Sequence, residues 1–353
     1  MAQKVAVAIS GGRDSMVAAS ILASASYDVL TIHVLMTGSE AALQQCDRAR
    51  DVARDLGLPF EVVDLSAEFS RSVIDPFCTE YAAGRTPNPC VVCNKAIKFG
   101  RLLRYTRDRG AEMLATGHYA RVAHGSGRRR LMRAADRSAD QSYFLYAVEP
   151  AALGQILTPL GDLSRADVHR IAATLGHGDT PSSQDICFVA GRDRGPFIAQ
   201  RTGAEPGDIV TLDGSVLGRH RGLPFYTIGQ RHGLRLAAAE PMYVVRLDAG
   251  RNAVVVGSAS DLMSEAALLD SLAWTGGPAP TSDFAAQAQA RYRSRGSPAH
   301  ITVRGAHPLV RFGEPQRALA PGQSVVFYDG DAVLGGGVIL RTFARAEDAD
   351  APL

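Results

Sequence analysis

Ala8-Ile9-Ser10-Gly11-Gly12-Arg13-Asp14-Ser15 joins an apolar run, Val5 to Ile9, to a segment where Val17, Ile21 and Leu22 recur at helical spacing. Strand, glycine turn and helix is the geometry in which backbone N–H groups and a helix N-terminus cradle phosphate. No Gly-Lys-Ser/Thr follows, so this is not a Walker A loop. The Gly-x-Gly-x-x-Gly spacing is missing, so it is not a dinucleotide fingerprint. The plainer alternative is an ordinary tight turn capped by Ser15.

The flanking sequence alternates strand and helix. Strands are expected at Val5–Ile9, Val29–Val34, Phe60–Leu65 and Met113–Thr116. Ala42, Cys46, Ala49, Ala53 and Leu56 mark one helix face between the second and third. Ser164–Leu175 reads as a helix capped by Asp162 or Ser164. Such alternation predicts a parallel α/β sheet, with ligand at the carboxyl ends of the strands. After about residue 200 the character changes. Glu205-Pro206-Gly207-Asp208 is a turn signal, and short strand-like runs follow. The expected division is a catalytic domain over 1–203, a small β-rich domain over 204–268, a C-terminal β-barrel over 269–345 and a frayed tail over 346–353.

The chain has 353 residues, 46% hydrophobic and 21% charged, which suits two or three globular domains. No apolar run approaches the roughly 18 residues that cross a bilayer. The N-terminus lacks signal-peptide design, so a cytoplasmic protein without membrane contact is expected. Net charge is only +2, too small to indicate a nucleic-acid partner by itself. Local clusters say more. Lys95, Lys98, Arg101, Arg104, Arg107 and Arg109 crowd one expected helix, and Arg128, Arg129, Arg130 and Arg133 follow a Gly-Ser-Gly turn. Each is a solvated face or an RNA contact.

Five cysteines are too few for a disulfide scaffold. Cys90 and Cys93 form a Cys-x-x-Cys at a loop-to-helix junction, within Gly84-Arg85-Thr86-Pro87-Asn88-Pro89-Cys90-Val91-Val92-Cys93-Asn94-Lys95. That setting suits a low-pKa thiolate helped by the helix dipole, Lys95 and Lys98, or ligation of a metal or cluster. Cys187 stands in Ser183-Gln184-Asp185-Ile186-Cys187-Phe188. Cys46, beside Leu43 and Ala53, and Cys78, beside Phe77 and Tyr81, read as core thiols.

Ser-Gly-Gly-x-Asp-Ser resembles the pyrophosphate loop of ATP pyrophosphatases. The chain as a whole resembles the bacterial tRNA-specific 2-thiouridylases. The likeness is carried by that loop, by Gly84–Asn94 with Ile97-Lys98-Phe99, by Ala115-Thr116-Gly117-His118-Tyr119-Ala120 and by Asp140-Gln141-Ser142-Tyr143-Phe144-Leu145-Tyr146. It continues through Ser183–Phe188, Tyr226-Thr227-Ile228-Gly229-Gln230-Arg231-His232-Gly233-Leu234, Arg291-Tyr292-Arg293, Pro321-Gly322-Gln323 and Leu334-Gly335-Gly336-Gly337. The resemblance implies a Rossmann-like domain of the adenine nucleotide alpha-hydrolase type, then the β-rich domain and the barrel. It implies thiolation of the wobble uridine of tRNA. ATP adenylates the C2 oxygen, which makes a poor leaving group a good one, and sulfur then displaces AMP.

By the same resemblance, nucleotide contacts fall on Ala8, Ile9, Ser10, Gly11, Gly12, Arg13, Asp14, Ser15, Val34 and Gly117. Asp14 orients Mg2+ or assists proton removal. Cys187 carries a persulfide, and Cys93 attacks it or resolves the intermediate as a disulfide. RNA contacts fall on Asn88, Pro89, Cys90, His118, Asp140, Gln141, Arg291, Tyr292 and Gln323. The implied partners are tRNA and a cysteine desulfurase or sulfur-relay protein. The chain departs from the family pattern at Arg13, Met16 and Ala139, where a small apolar residue, Ser and Lys are usual. Cys90 stands where some members have Asp. A second loop cysteine suggests that Cys90, Cys93 and Cys187 ligate a 4Fe–4S cluster with one open iron; a passive Cys90 or adventitious zinc is the rival. For the whole chain, an amide-forming ligase, a different tRNA modifier with the same loop, or a silent RNA-binding protein are the other readings.

Overall fold

The computed structural model describes residues 2–125, 128–177, 186–189, 191, 193–236, 240–303 and 305–350. The first strand, β1 (Lys4–Ala8), has Val5, Ala6 and Val7 fully buried. Then come β2 (Asp28–Leu35), β3 (Phe60–Asp64) and β4 (Met113–Ala115), the hairpin strands β5 (Ala120–Gly125) and β6 (Arg128–Arg133), and the short β7 (Ile156–Leu157). One sheet runs in the order β3-β2-β1-β4-β7, with all neighbours parallel. Chain order reverses between β1 and β4, and ligands bind at the carboxyl ends of strands beside such a reversal.

The helices cover this sheet for the reasons their sequences give. α1 (Arg13–Ser24) follows the glycine turn directly and buries Met16, Val17, Ala18, Ala19 and Leu22. α2 (Glu40–Asp55) is capped by Ser39, whose side chain accepts from the Ala42 N–H, and it buries Cys46, Ala49, Val52 and Ala53. Leu43, expected beside Cys46 on the apolar face, is instead 49% exposed. The helix Arg165–Thr174 starts at Ser164 with a reciprocal bond to Asp167. Residues 89–108 form one helical run. Its middle, Asn94–Leu102, is π-helical, a geometry found mostly as short insertions at functional sites.

Beyond residue 200, β8 (Gly207–Val210), β9 (Val216–His220), β10 (Tyr243–Asp248) and β11 (Ala253–Gly257) form a four-stranded sheet around Ile209, Val244, Val254 and Val256. β12 (Met263–Trp274), β13 (Phe284–Gln289), β14 (Ser297–Thr302), β15 (Leu309–Arg317), β16 (Ser324–Asp329) and β17 (Ala332–Phe343) make an antiparallel barrel, closed by pairing of β12 with β17. Gly330, at the Asp329-Gly330-Asp331 turn, has φ +55, as a tight hairpin demands.

Two expectations at this end are corrected. The boundary expected between residues 268 and 269 falls inside β12, a strand rich in Ala and Leu rather than β-branched residues. Residues 346–350, expected to fray, form a short 3₁₀ helix. It is held by the Ala346 N–H on Glu265 and by burial of Ala349.

The barrel is joined to the first sheet's unit. β6 pairs with β17 at Ala332 and Met132. Tyr143 donates to the Ser324 carbonyl at 2.9 Å, and the Tyr146 hydroxyl lies 3.2 Å from Ser324 Oγ. The Arg133 guanidinium lies 3.4 Å from the centroid of the Tyr328 ring. The largest apolar core runs through this joint, from Ile32 and Leu114 to Val326 and Val333. Among the described residues no helix is long and apolar enough to cross a membrane.

Candidate active site

Backbone and side-chain bonds shape the loop after β1. The Ser10 N–H donates to Ser15 Oγ at 3.0 Å, and Ser15 Oγ donates to the Gly12 carbonyl at 2.9 Å. Gly11 has φ +72, and a Cβ there would stand 2.9 Å from the Ala49 nitrogen of α2. Gly12 is the N-cap of α1 and has no side chain to cap it, so the first N–H groups of that helix are left uncapped by their N-cap residue. Gly117, after β4, closes on the same turn: a Cβ there would lie 2.8 Å from the Ser15 nitrogen. Ala8 ends β1, Ile9 follows it, and Val34 lies half-buried near the end of β2. The residues expected around a nucleotide therefore gather at the strand-order reversal.

Asp14 sits in the first turn of α1, half-buried. Burial holds its carboxyl above the usual range, opposed by a bond from Tyr119 and by the charges of Arg13 and Arg165. The Tyr119 hydroxyl donates to Asp14 at 3.1 Å. No local pattern marks this partner. Sequence reasoning also missed His33, a buried residue whose Nδ1–H donates to the Ile9 carbonyl at 2.9 Å and fixes the start of the loop. Its apolar neighbours on β2 hide it; a histidine inside a Val/Ile run is the available signal.

The turn formed by residues 116–119 is linked to the thiols through Lys98. His118 Nδ1 is 2.8 Å from Thr116 Oγ1, and its Nε2 is 3.5 Å from the Lys98 ammonium. Burial and Lys98 keep the ring neutral, well below its ordinary pKa. Lys98 can only donate, so Nε2 accepts and Nδ1 carries the proton. His118 is thus engaged with protein groups at both nitrogens. Lys98 acts in turn on Cys93 and Cys187. Burial pushes the Cys93 thiol up to about 12, with Lys98 lowering it and Cys187 and Cys90 raising it. Cys187 is an exposed residue whose thiol is raised by surrounding protein and lowered by Lys98. Cys93 and Cys187 are thiols, not joined to each other. Cys46 and Cys78 are buried, as expected. Ser183, Gln184 and Asp185, part of the motif before Cys187, lie outside the described residues.

The expected RNA contacts divide. Asn88, Pro89 and Cys90 lead into the Cys93 helix, with Pro89 buried at its first position. Asn88 bonds to Tyr143, and Arg291 acts on the same hydroxyl. Tyr292 packs its ring 4.4 Å from Phe144. Gln323 accepts the Ala320 N–H, and its neighbour Gly322 presses on the Thr86 backbone. Three distant motifs thus gather around the Gly84–Asn94 loop. That loop also holds unpartnered buried atoms at Arg85 Nε, Thr86 Oγ1 and Asn94 Oδ1. Asp140, expected on RNA, is 8% exposed and accepts four bonds, from Arg133, Ala134 and both Ser142 donors, so it braces the joint. Gln141 accepts the Tyr119 N–H in the same way. Arg133, expected in a basic patch, is spent on Asp140.

Three family models tile the chain: tRNA methyl transferase HUP domain over residues 3–191, tRNA methyl transferase PRC-barrel domain over 195–258, and Aminomethyltransferase beta-barrel domain over 264–339. The tRNA-specific 2-thiouridylase MnmA of Trichormus variabilis is 42% identical over 346 residues, covering 96% of this chain and 98% of its own. That of Desulforudis audaxviator is 44% identical over 341 residues, covering 95% and 98%. The chain belongs to the tRNA-specific 2-thiouridylase family. A solved structure, the U34-tRNA thiolase NcsA from Methanococcus maripaludis with its [4Fe-4S] cluster, matches 52% of this chain and 60% of its own, at 19% identity and a TM-score of 0.36. That likeness is too slight to carry any property across.

For this member of the 2-thiouridylase family, the cluster expected on Cys90, Cys93 and Cys187 meets a geometric test. Cys93 feels the charge of both other thiols. Yet among the described residues no three His, Cys, Asp or Glu side chains stand together so as to hold a metal ion. The present arrangement does not fit a three-thiolate cluster site, and no chemical step is assigned to one.

Proposed function

We propose that this protein uses ATP to replace the C2 oxygen of the wobble uridine of tRNA by sulfur. The observation that carries this reading is that residues 116–119 touch both halves of the chemistry. Gly117 and Tyr119 meet the glycine loop, while His118 meets Lys98, whose charge acts on Cys93 and Cys187. A base lying against this turn would have a phosphate site on one side and two thiols on the other.

In the first step the C2 oxygen attacks the α-phosphorus of ATP, and pyrophosphate leaves with the electron pair of the broken bond. The N–H groups at the start of α1 would hold phosphate, and Asp14 is the loop carboxylate available to the incoming base or to Mg2+. Magnesium is usually held by one or two carboxylates together with substrate phosphates, which suits a loop with a single acid; it would neutralise polyphosphate charge.

In the second step a persulfide on Cys187 attacks C2, and AMP departs. Cys93 thiolate then attacks Cys187 Sγ, the bond to the outer sulfur breaks, and its electron pair stays on the base as the thiocarbonyl. A Cys93–Cys187 disulfide remains, to be reduced by an external thiol before the next turnover. The high pKa of Cys93 in the free protein means that this thiol must be activated once substrate is bound, and Lys98 is the cation at hand. Exposure of Cys187 supports loading by a cysteine desulfurase or sulfur-relay protein. The test is ATP-dependent formation of 2-thiouridine in unmodified tRNA, with a cysteine desulfurase and cysteine as sulfur source. Release of pyrophosphate without sulfur in the tRNA would refute the reading.

A further inference from the structure

The mouth of the glycine loop carries more positive charge than its own residues use. Arg13 is the first residue of α1, and its Nε is buried with no hydrogen-bond partner. A buried donor left unmade costs about 1–3 kcal/mol, so an acceptor brought to this guanidinium would recover part of that cost. Arg165 comes from a different element, the first position of the helix Arg165–Thr174, which packs against α1. Its guanidinium lies 5.9 Å from the centroid of the Tyr119 ring, and the Tyr119 hydroxyl bonds Asp14. Both arginines act on the Asp14 carboxylate. Two cations around one carboxylate leave a net positive charge beside N–H groups already suited to phosphate.

We infer that Arg13 and Arg165 form a guanidinium pair that grips the β- and γ-phosphates of ATP, the part that departs as pyrophosphate. The inference rests on the ATP-dependent reading above, adds Arg165 to it and gives Arg13 a particular pair of phosphates. As the bond between the α-phosphorus and the bridging oxygen breaks, negative charge grows on that oxygen. A guanidinium cannot give up its proton, and it meets phosphate oxygens through paired donors. It therefore stabilises the departing group more than the bound substrate.

The experiment uses the full chain with Arg13→Ala, Arg165→Ala and Arg13→Lys. Binding of ATP and of AMP is measured by equilibrium dialysis, and tRNA-dependent pyrophosphate release is followed separately. Each alanine variant should weaken ATP binding by about tenfold or more, the loss expected for one charge-assisted contact, with AMP binding unchanged. Arg13→Lys should recover part of the loss, because it restores charge but not the paired donors. Equal losses for ATP and AMP would assign the arginines a structural role and overturn the inference. So would ATP binding that stays at the wild-type level. Wild-type protein that grips ATP through both arginines yet releases pyrophosphate with an acceptor other than tRNA would refute the thiolation reading and leave the pair standing.

Discussion

The Tyr119 hydroxyl reaches Asp14 at 3.1 Å across 105 residues of sequence, tying the turn after β4 to the loop after β1. The bond places an acid with a raised pKa at the point where nucleotide and base would meet.

Asp14→Asn should stop tRNA-dependent pyrophosphate release without lowering the melting temperature. The sign follows from the pKa. In the folded protein it lies above the unfolded value, because burial outweighs the Tyr119 bond. Ionising Asp14 therefore costs stability at any pH above its folded pKa, and the cost fades as pH falls through that value. Asn removes the charge at neutral pH and can keep a bond to Tyr119. A clear fall in melting temperature, or continued pyrophosphate release, would contradict this account.

Cysteine reactivity should be unequal. Cys187 is exposed, whereas Cys93 is 7% exposed with its thiol pushed up to about 12. At a mildly alkaline pH iodoacetamide should label Cys187 well before Cys93, as read by peptide mass spectrometry. Cys93→Ser and Cys187→Ser should each abolish sulfur transfer while sparing pyrophosphate release. Cys46→Ala and Cys78→Ala should retain thiolation at a cost of about 1 kcal/mol in stability. Loss of thiolation in folded Cys46→Ala would break this partition.

Much of this arrangement could be read from the chain, and the failures have physical causes. β1 to β4 were legible because each is a short apolar run bounded by turn residues, and the helix at Ser164 because a capping serine precedes its periodic face. β12 was not, since Ala and Leu suit helix as well as strand. Pairing of β6 with β17 joins Met132 to Ala332, far apart in the chain, and no local pattern reports it. Asp140 carried a usable local signal. Its bond to the Ser142 N–H is the two-residue side-chain turn that aspartate makes with its own backbone, which argues for structure before recognition.

The basic residues should separate on mutation. Lys95 is near Glu149, Arg107 bonds Gln155, and Arg109 pairs with Glu61. Arg101 and Arg104 line a cavity of about 670 Å³ on the same helical run. Arg101→Ala and Arg104→Ala should weaken tRNA binding and each lower the slope of log affinity against log salt by about 1. Arg133→Ala should act differently. It leaves Asp140 buried and uncompensated, so it should cost about 3 kcal/mol of stability, visible in urea unfolding. An unchanged salt slope in the Arg101 and Arg104 variants would remove this surface from the RNA interface.

The last expectation concerns the contact between the barrel and the cysteine loop. Gly322 has φ +91, and a Cβ there would stand 2.9 Å from the Thr86 nitrogen and 3.0 Å from its carbonyl carbon. The Thr86 N–H also donates to the Pro321 carbonyl at 2.7 Å. Gly322→Ala must therefore strain its own backbone and push the turn off the Gly84–Asn94 loop. The contacts Gly322 and Pro321 make here are with Thr86 rather than with the glycine loop after β1, so ATP binding should persist. Thiolation should fall, because Thr86 and Cys93 share one short loop-to-helix segment. A shifted Thr86 would displace the segment that carries Cys93. Gln323→Ala, which removes one capping bond within the barrel turn but leaves Gly322 in place, should lower thiolation much less. The two variants are compared by equilibrium ATP binding and by 2-thiouridine content of tRNA. Gly322→Ala with wild-type thiolation would mean that the barrel does not position the cysteine loop.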